Sequence, residues 1–174
     1  SPVIISRNKE DLINKADIIG CEYEICDVLD SDQIEKVSKK YNDEVVGLAY
    51  CVGSINLKPI KMSKDHDFID SFKINTLGAI NVIKSNLASL TKNNGSILLF
   101  STVAVQQGFT NHSIVSSAKG AIEGLTHSLA AEFAPKIKVN CIAPSLTDAK
   151  MTQKLINNQT IKKAIENMHP LPKI

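Results

Sequence analysis

Two apolar runs constrain this chain most: Val45–Val52 (VVGLAYCV) and Ile97–Phe100 (ILLF). Both are of strand length, and neither alternates as a strand with one wet face would. They read as strands buried on both faces, the kind that parallel sheets use beneath covering helices. Helical spacing separates them: Met62 to Leu90 carries apolar residues at Phe68, Phe72, Ile74, Leu77, Ile80, Val82 and Ile83. Ile137 to Ile142 reads as a further strand. Earlier in the chain, Pro2 to Ser6 is a short apolar strand, Lys9 to Ala16 a short helix, and Glu22 to Val28 an alternating strand that stops at Asp27. Asp30 with Gln33 three residues on forms a capping-box pattern that opens the next helix. A last helix is expected over Thr152 to Met168.

Strand and helix thus alternate from end to end, which predicts a doubly wound parallel sheet in a three-layer α/β/α arrangement. At 174 residues, with no internal repeat and no linker, residues 1–174 read as a single Rossmann-like domain. A net charge of +2 is too small to argue for nucleic acid or an anionic membrane. No apolar run approaches the ~20 residues of a membrane span, and no secretory pattern opens the chain. Cys21, Cys26, Cys51 and Cys141 show neither CxxC nor metal-ligand spacing, so no metal site is expected. They read as reduced, mostly core cysteines of a cytoplasmic protein.

The segment from Gly95 to Ser145 reads strand, loop, helix, strand, and its loop falls at the carboxyl ends of the strands, where open α/β sheets bind ligands. Lys119 sits in the first turns of that helix. Gly53, at the end of the Val45–Val52 run, lets backbone approach a ligand with no Cβ in the way. Asp27 admits two readings, an acceptor for an adenine amino group and a helix-start cap.

Several short motifs follow one another in register with these strands: Cys26-Asp27-Val28, Tyr50-Cys51-Val52-Gly53, Ile74-Asn75-Thr76-Leu77-Gly78, Phe100-Ser101-Thr102, Ala118-Lys119-Gly120 and Val139-Asn140-Cys141-Ile142-Ala143-Pro144-Ser145. Together they resemble the short-chain dehydrogenase/reductase family, over essentially the whole chain. The resemblance implies hydride transfer between a nicotinamide cofactor and a small carbonyl or alcohol substrate. It implies that Lys119 holds the nicotinamide ribose and that Asn75 supports a proton relay. Thr102 stands where the family carries a serine that orients the substrate oxygen. Val115 stands where the family carries its proton-transferring tyrosine, so the proton donor must be atypical. The candidates to replace that tyrosine are His112, which precedes Val115 by one turn on roughly the same face and is a residue type suited to proton transfer near neutrality, and Lys119 itself if it is desolvated. A helix-entry histidine open to solvent is the competing reading of His112. Ser116, turned by about 100°, is a weaker candidate.

Cofactor-binding positions implied by the resemblance are Arg7, Asp27, Val28, Cys51, Val52, Gly53, Lys119, Pro144, Ser145 and Thr147. Tyr50, Cys51 and Val52 depart from the family's usual Asn-Asn-Ala, Ser145 from a glycine and Ala149 from a threonine. Arg7 follows the strand where NAD-preferring relatives carry an acid, which favours the 2′-phosphate of NADP over NAD. The family opens with a strand and a glycine-rich turn that nothing here matches, so the sheet is expected to be incomplete at both ends, with about 30 residues wanting before Ser1. His169 to Ile174 resembles the run before the family's last helix. The small residues of the Lys119 helix suit close helix packing in a homodimer or homotetramer. The competing reading is a non-catalytic cofactor-binding or scaffold protein that kept the fold and lost the chemistry.

Overall fold

The structure is a computed structural model and describes residues 1–167. The expected alternation is present and every strand pairing is parallel. Strand β1 (Val3–Ser6) pairs with β2 (Glu22–Ile25), with Val3 opposite Glu22. Helix α1 (Lys9–Ile19) joins them, capped by Asn8 and closed by Gly20 at φ 72°, a left-handed position that favours glycine. Helix α2 (Ser31–Lys40) starts as its sequence dictates. Asp30 Oδ1 accepts from the Asp32 and Gln33 amides at 3.0 and 3.1 Å. Gln33 returns by donating to Asp30 Oδ2 at 2.7 Å, and its Oε1 also accepts from the Asp27 amide.

A second parallel sheet holds the core. Strands β3 (Gly47–Ala49), β4 (Ser96–Phe100) and β5 (Lys138–Ile142) lie in that order, with Leu48 opposite Ile97 and Ile97 opposite Val139. Helix α4 (Gly78–Lys92) and helix α6 (Ser113–Phe133) bury Ala79, Ile83, Leu90 and Ile122 against Ile97, Leu99 and Val139.

Several boundaries differ from the sequence reading. The strands form two sheets rather than one, since β1 and β3 are not hydrogen-bonded to each other. The Val45–Val52 run narrows to β3, because beyond Ala49 the chain turns away after the Tyr50 amide bonds Leu98 O at 2.9 Å. The long helix over 62–90 is three pieces: α3 (Asp65–Phe72), a π-turn (Lys73–Leu77) and α4. Asn75 Nδ2 donates to Ser71 O at 2.9 Å, a carbonyl that the Asn75 amide would take in an unbroken α-helix. A one-turn helix α5 (Ala104–Gln107) interrupts the loop after β4. The last helix divides into α7 (Gln153–Ile156) and α8 (Gln159–Glu166), where Asn158 Oδ1 turns to accept from the Thr160 amide. Met168 and His169 to Ile174 lie outside the described residues. Of the cysteines only Cys26 is buried, and Cys51 is exposed; all four are free thiols.

Candidate active site

The carboxyl ends of β3, β4 and β5 meet beside the N-terminal half of α6, and Lys119 is the centre of that meeting. Its ammonium donates to Phe100 O, the last carbonyl of β4, at 2.8 Å. Loss of solvation holds the Lys119 pKa below the ordinary lysine value, so the ammonium gives up its proton more readily than a solvated one. Gly53 brings the β3 loop against this group. A Cβ there would lie 2.8 Å from Asn75 Oδ1 and 3.4 Å from Lys119 Nζ. The close approach, not an unusual φ, is what requires glycine.

Asn75 is completely buried. Its Oδ1 accepts from the Ser54 amide at 3.2 Å, and its Nδ2 donates to Ser71 O. The side chain is therefore spent on pinning the β3 loop beside Lys119. Thr102 Oγ1 accepts from the Ala104 amide at 3.3 Å, and its proton has no acceptor among the described residues. Ser101 donates to Glu123 at 2.6 Å and lies 3.3 Å from Lys119 O, which clamps the end of β4 to α6 at a second point. Neither Ser54 nor Glu123 figures in the sequence reading. Glu123 was findable, since it follows Lys119 by one helical turn.

The loop after β5 is drawn to the same edge. Ser101 N donates to Ile142 O at 2.8 Å, and Val103 N donates to Pro144 O at 3.2 Å. Thr147 Oγ1 donates to Ser145 O at 3.1 Å. At the two-stranded sheet, Arg7 approaches Asp27 Oδ2 at 3.8 Å with its side chain 69% exposed. Asp27 Oδ1 accepts from the Leu29 amide at 3.0 Å, closing a turn ahead of α2, whose cap is Asp30 rather than Asp27. Val28 packs against Gly78 and Tyr50, where its Cγ2 would be 3.1 Å from a Cβ on Gly78. Tyr50, in place of an asparagine, turns inward and donates to Ile74 O at 2.6 Å; burial pushes its hydroxyl pKa well up. Cys51 and Val52 carry the chain from Tyr50 to Gly53.

His112 and Lys119 do not share a setting. His112 is the N-cap of α6, outside the helical run, with its Nδ1 2.8 Å from Thr110 O and its ring edge-on to Phe109. It lines a cavity of about 590 Å³ that Lys119 does not line. Val115, between them on the helix, is 5% exposed. A second cavity of about 360 Å³ is lined by Leu29, Ser54, Asp67, Asp70, Lys73 and Ile74. Among the described residues no group of three His, Cys, Asp or Glu side chains is placed to hold a metal ion, and no helix is long and apolar enough to cross a membrane.

Comparison with known proteins agrees with this geometry. The family model described as "Enoyl-(Acyl carrier protein) reductase" matches residues 3–174. "Carbonyl reductase family member 4" of Danio rerio is 28% identical over 92% of this chain and 70% of its own length. "Dehydrogenase/reductase SDR family member 6" of Aquarana catesbeiana is 33% identical over 74% of this chain, which spans 54% of that relative. Among solved structures, "ElxO with NADP Bound" superposes with a TM-score of 0.86 at 26% identity, covering 99% of this chain and 74% of that one. The parallel α/β fold and these matches show that the chain belongs to the short-chain dehydrogenase/reductase family.

Proposed function

We propose that the protein is an NADP-dependent oxidoreductase that interconverts a carbonyl and an alcohol. The observation that carries this reading is Lys119: a desolvated ammonium fixed at the end of β4, facing a loop that only Gly53 allows so close. The residues present fit a nicotinamide dinucleotide. Lys119 has ammonium protons to spare for ribose hydroxyls beyond its one bond to Phe100 O. Arg7 is exposed, with only a long contact to Asp27, and suits a 2′-phosphate. The 360 Å³ cavity beside Leu29 and Ile74 suits the adenine end. Cys51, Val52, Pro144, Ser145 and Thr147 border the same edge and contribute backbone contacts. The NADP-bound relative supports the choice of cofactor. So does a tyrosine-to-phenylalanine variant of the same protein, described as having NADPH bound, which indicates that binding survives loss of a tyrosine hydroxyl.

When bound, the cofactor supplies or accepts the hydride. This chain must supply the rest. Thr102 orients the substrate oxygen with its uncommitted hydroxyl proton, and Asn75 holds the Gly53–Ser54 loop in place. Val115 has no proton to give; Lys119, whose proton is loosened by desolvation, lies at this centre and is the first candidate donor, while His112 would have to act from the adjoining cavity. Small residues exposed on α6, among them Ser117 and Gly124, suit a homodimer or homotetramer.

A test uses the full-length protein. NADPH should bind more tightly than NADH, and Arg7→Asp should reverse that order. Lys119→Met should lose binding of both cofactors and all turnover. Equal affinity of the wild type for the two cofactors would defeat the NADP assignment. The buried Val115 favours a second reading, a cofactor-binding protein without turnover. NADPH binding with no reduction of a broad carbonyl panel would establish that one instead.

A further inference from the structure

The 590 Å³ cavity beside His112 has a chemical character of its own. Its size falls within the range of small-molecule sites. Two loops wall it, that after β3 and that between α5 and α6, and they are joined where Lys58 N donates to Asn111 O at 3.1 Å. Ile60, Val105 and Phe109 make the walls apolar. The polar part is one-sided. No aspartate or glutamate lines it, while Lys61 does, and Lys61 has no ion-pair partner among the described residues. The cavity also reaches the start of α6, the longest helix described, whose first-turn amides no side chain caps. Ser113 Oγ, in that turn, is buried and has no hydrogen-bond partner, the one such side-chain atom among the described residues. A buried hydroxyl left unpaired calls for a partner. Lys61 and the N-terminus of α6 thus border an apolar cleft lined by no carboxylate, with the Ser113 hydroxyl buried beside it.

We infer that this cavity is a substrate subsite for an apolar chain ending in an anionic group, a carboxylate or phosphate. The chain lies on Ile60, Val105 and Phe109, and the anionic end meets Lys61 and, after rotation about χ1, the Ser113 hydroxyl at the α6 N-terminus. The cavity adjoins the transfer centre, since Ala104 follows Thr102 by two residues and Ser116, which follows Val115, donates to Ala104 O at 3.2 Å. The inference rests on the oxidoreductase reading and adds the substrate class: a carbonyl compound with an apolar body and an anionic terminus.

Binding tests it without requiring turnover. Octanoate and its neutral counterpart 1-octanol are titrated into the full-length protein and followed by ligand-observed NMR, beside a separate titration with NADPH. Octanoate should bind about tenfold more tightly than octanol, as a charge-assisted contact in a half-buried cleft provides. Lys61→Met, which keeps the stem and removes the charge, should bring octanoate down to the level of octanol and leave octanol unchanged. Ser113→Ala should weaken octanoate alone and leave Tm where it was. Equal affinity for the two probes, no binding of octanoate, or an octanoate preference that survives Lys61→Met would each overturn the inference. If NADPH binds and the octanoate preference is absent, the subsite fails while the oxidoreductase reading stands. If NADPH itself does not bind, that reading fails.

Discussion

The two sheets each contain a short apolar strand, β1 and β4, and these end in different physical states. In the three-stranded sheet, Ile97 and Leu99 of β4 are 1% and 0% exposed under α4 and α6. In the two-stranded sheet, Ile5 and Ile25 remain 43% and 45% exposed. The apolar strand is the same device in both, but burial depends on what the fold lays over it. The packed sheet carries the groups that must be held to fractions of an ångström: Lys119 on Phe100 O, Ser101 on Glu123, Asn75 on the Gly53 loop. The thin sheet carries Arg7 and Asp27, which need only present charge and hydrogen-bonding groups at a rim. In the proposed function, the groups that must be held fixed lie where packing density is high, and the ones that would select the cofactor lie where it is low.

The sharpest way to break the contrast is to truncate one strand residue in each sheet. Leu99→Ala, at a position with no exposure, should cost about 2–5 kcal/mol. Ile5→Ala, already half in water, should cost under about 1 kcal/mol. Urea denaturation of the two variants measures both, and equal losses would mean that the sheets are equally load-carrying in solution.

The joint between the halves gives a smaller effect. Val28 from the thin half meets Gly78 and Tyr50 of the packed half, and a Cβ on Gly78 would overlap the Tyr50 hydroxyl. Gly78→Ala should therefore destabilise by about 1–3 kcal/mol through overpacking. Adding Tyr50→Phe removes the clashing oxygen, so the double variant should be more stable than the sum of the single losses predicts. Strict additivity would show that the joint relaxes some other way.

The smallest effect concerns the loop that leads from β3 to α3. Lys58 donates to both carboxylate oxygens of Asp67, at 2.9 and 2.8 Å, and the Lys64 amide and Asn56 add to the hold. The Lys58 ammonium is the chief reason that the Asp67 pKa falls to about 2. A carboxyl held below its unfolded value of about 3.9 stabilises the fold above that pH. The contribution is lost as pH falls from about 4 through about 2. Tm measured across that window should drop less steeply in Asp67→Asn than in the wild type, and superimposable slopes would show that the Lys58 pair adds nothing to the packed half.

Much of the architecture was legible because it follows from local chemistry. Asp30 and Gln33 capped a helix where their spacing placed them, and the buried runs became parallel strands. The π-turn at Lys73–Leu77 was not legible, since it arises from Asn75 reaching Ser71 O and the Ser54 amide across a tertiary contact. Nor was the inward turn of Tyr50, which depends on the space that Gly78 leaves.

The candidate site divides in the same way. From its sequence alone, the chain determined that a threonine and a glycine would stand at strand ends, and a lysine in the first turns of the following helix, on one edge of a parallel sheet, because strand period and helix spacing are properties of neighbouring residues. His112, Val115 and Lys119 share a helical period, and by sequence they read as one face. Only the tertiary structure decided otherwise: β4 draws Lys119 to Phe100 O, the core takes Val115, and the loop before α6 turns His112 into a separate cavity with Lys61. Period fixes the angle at which a side chain leaves its helix, but what waits at that angle is set by distant parts of the chain.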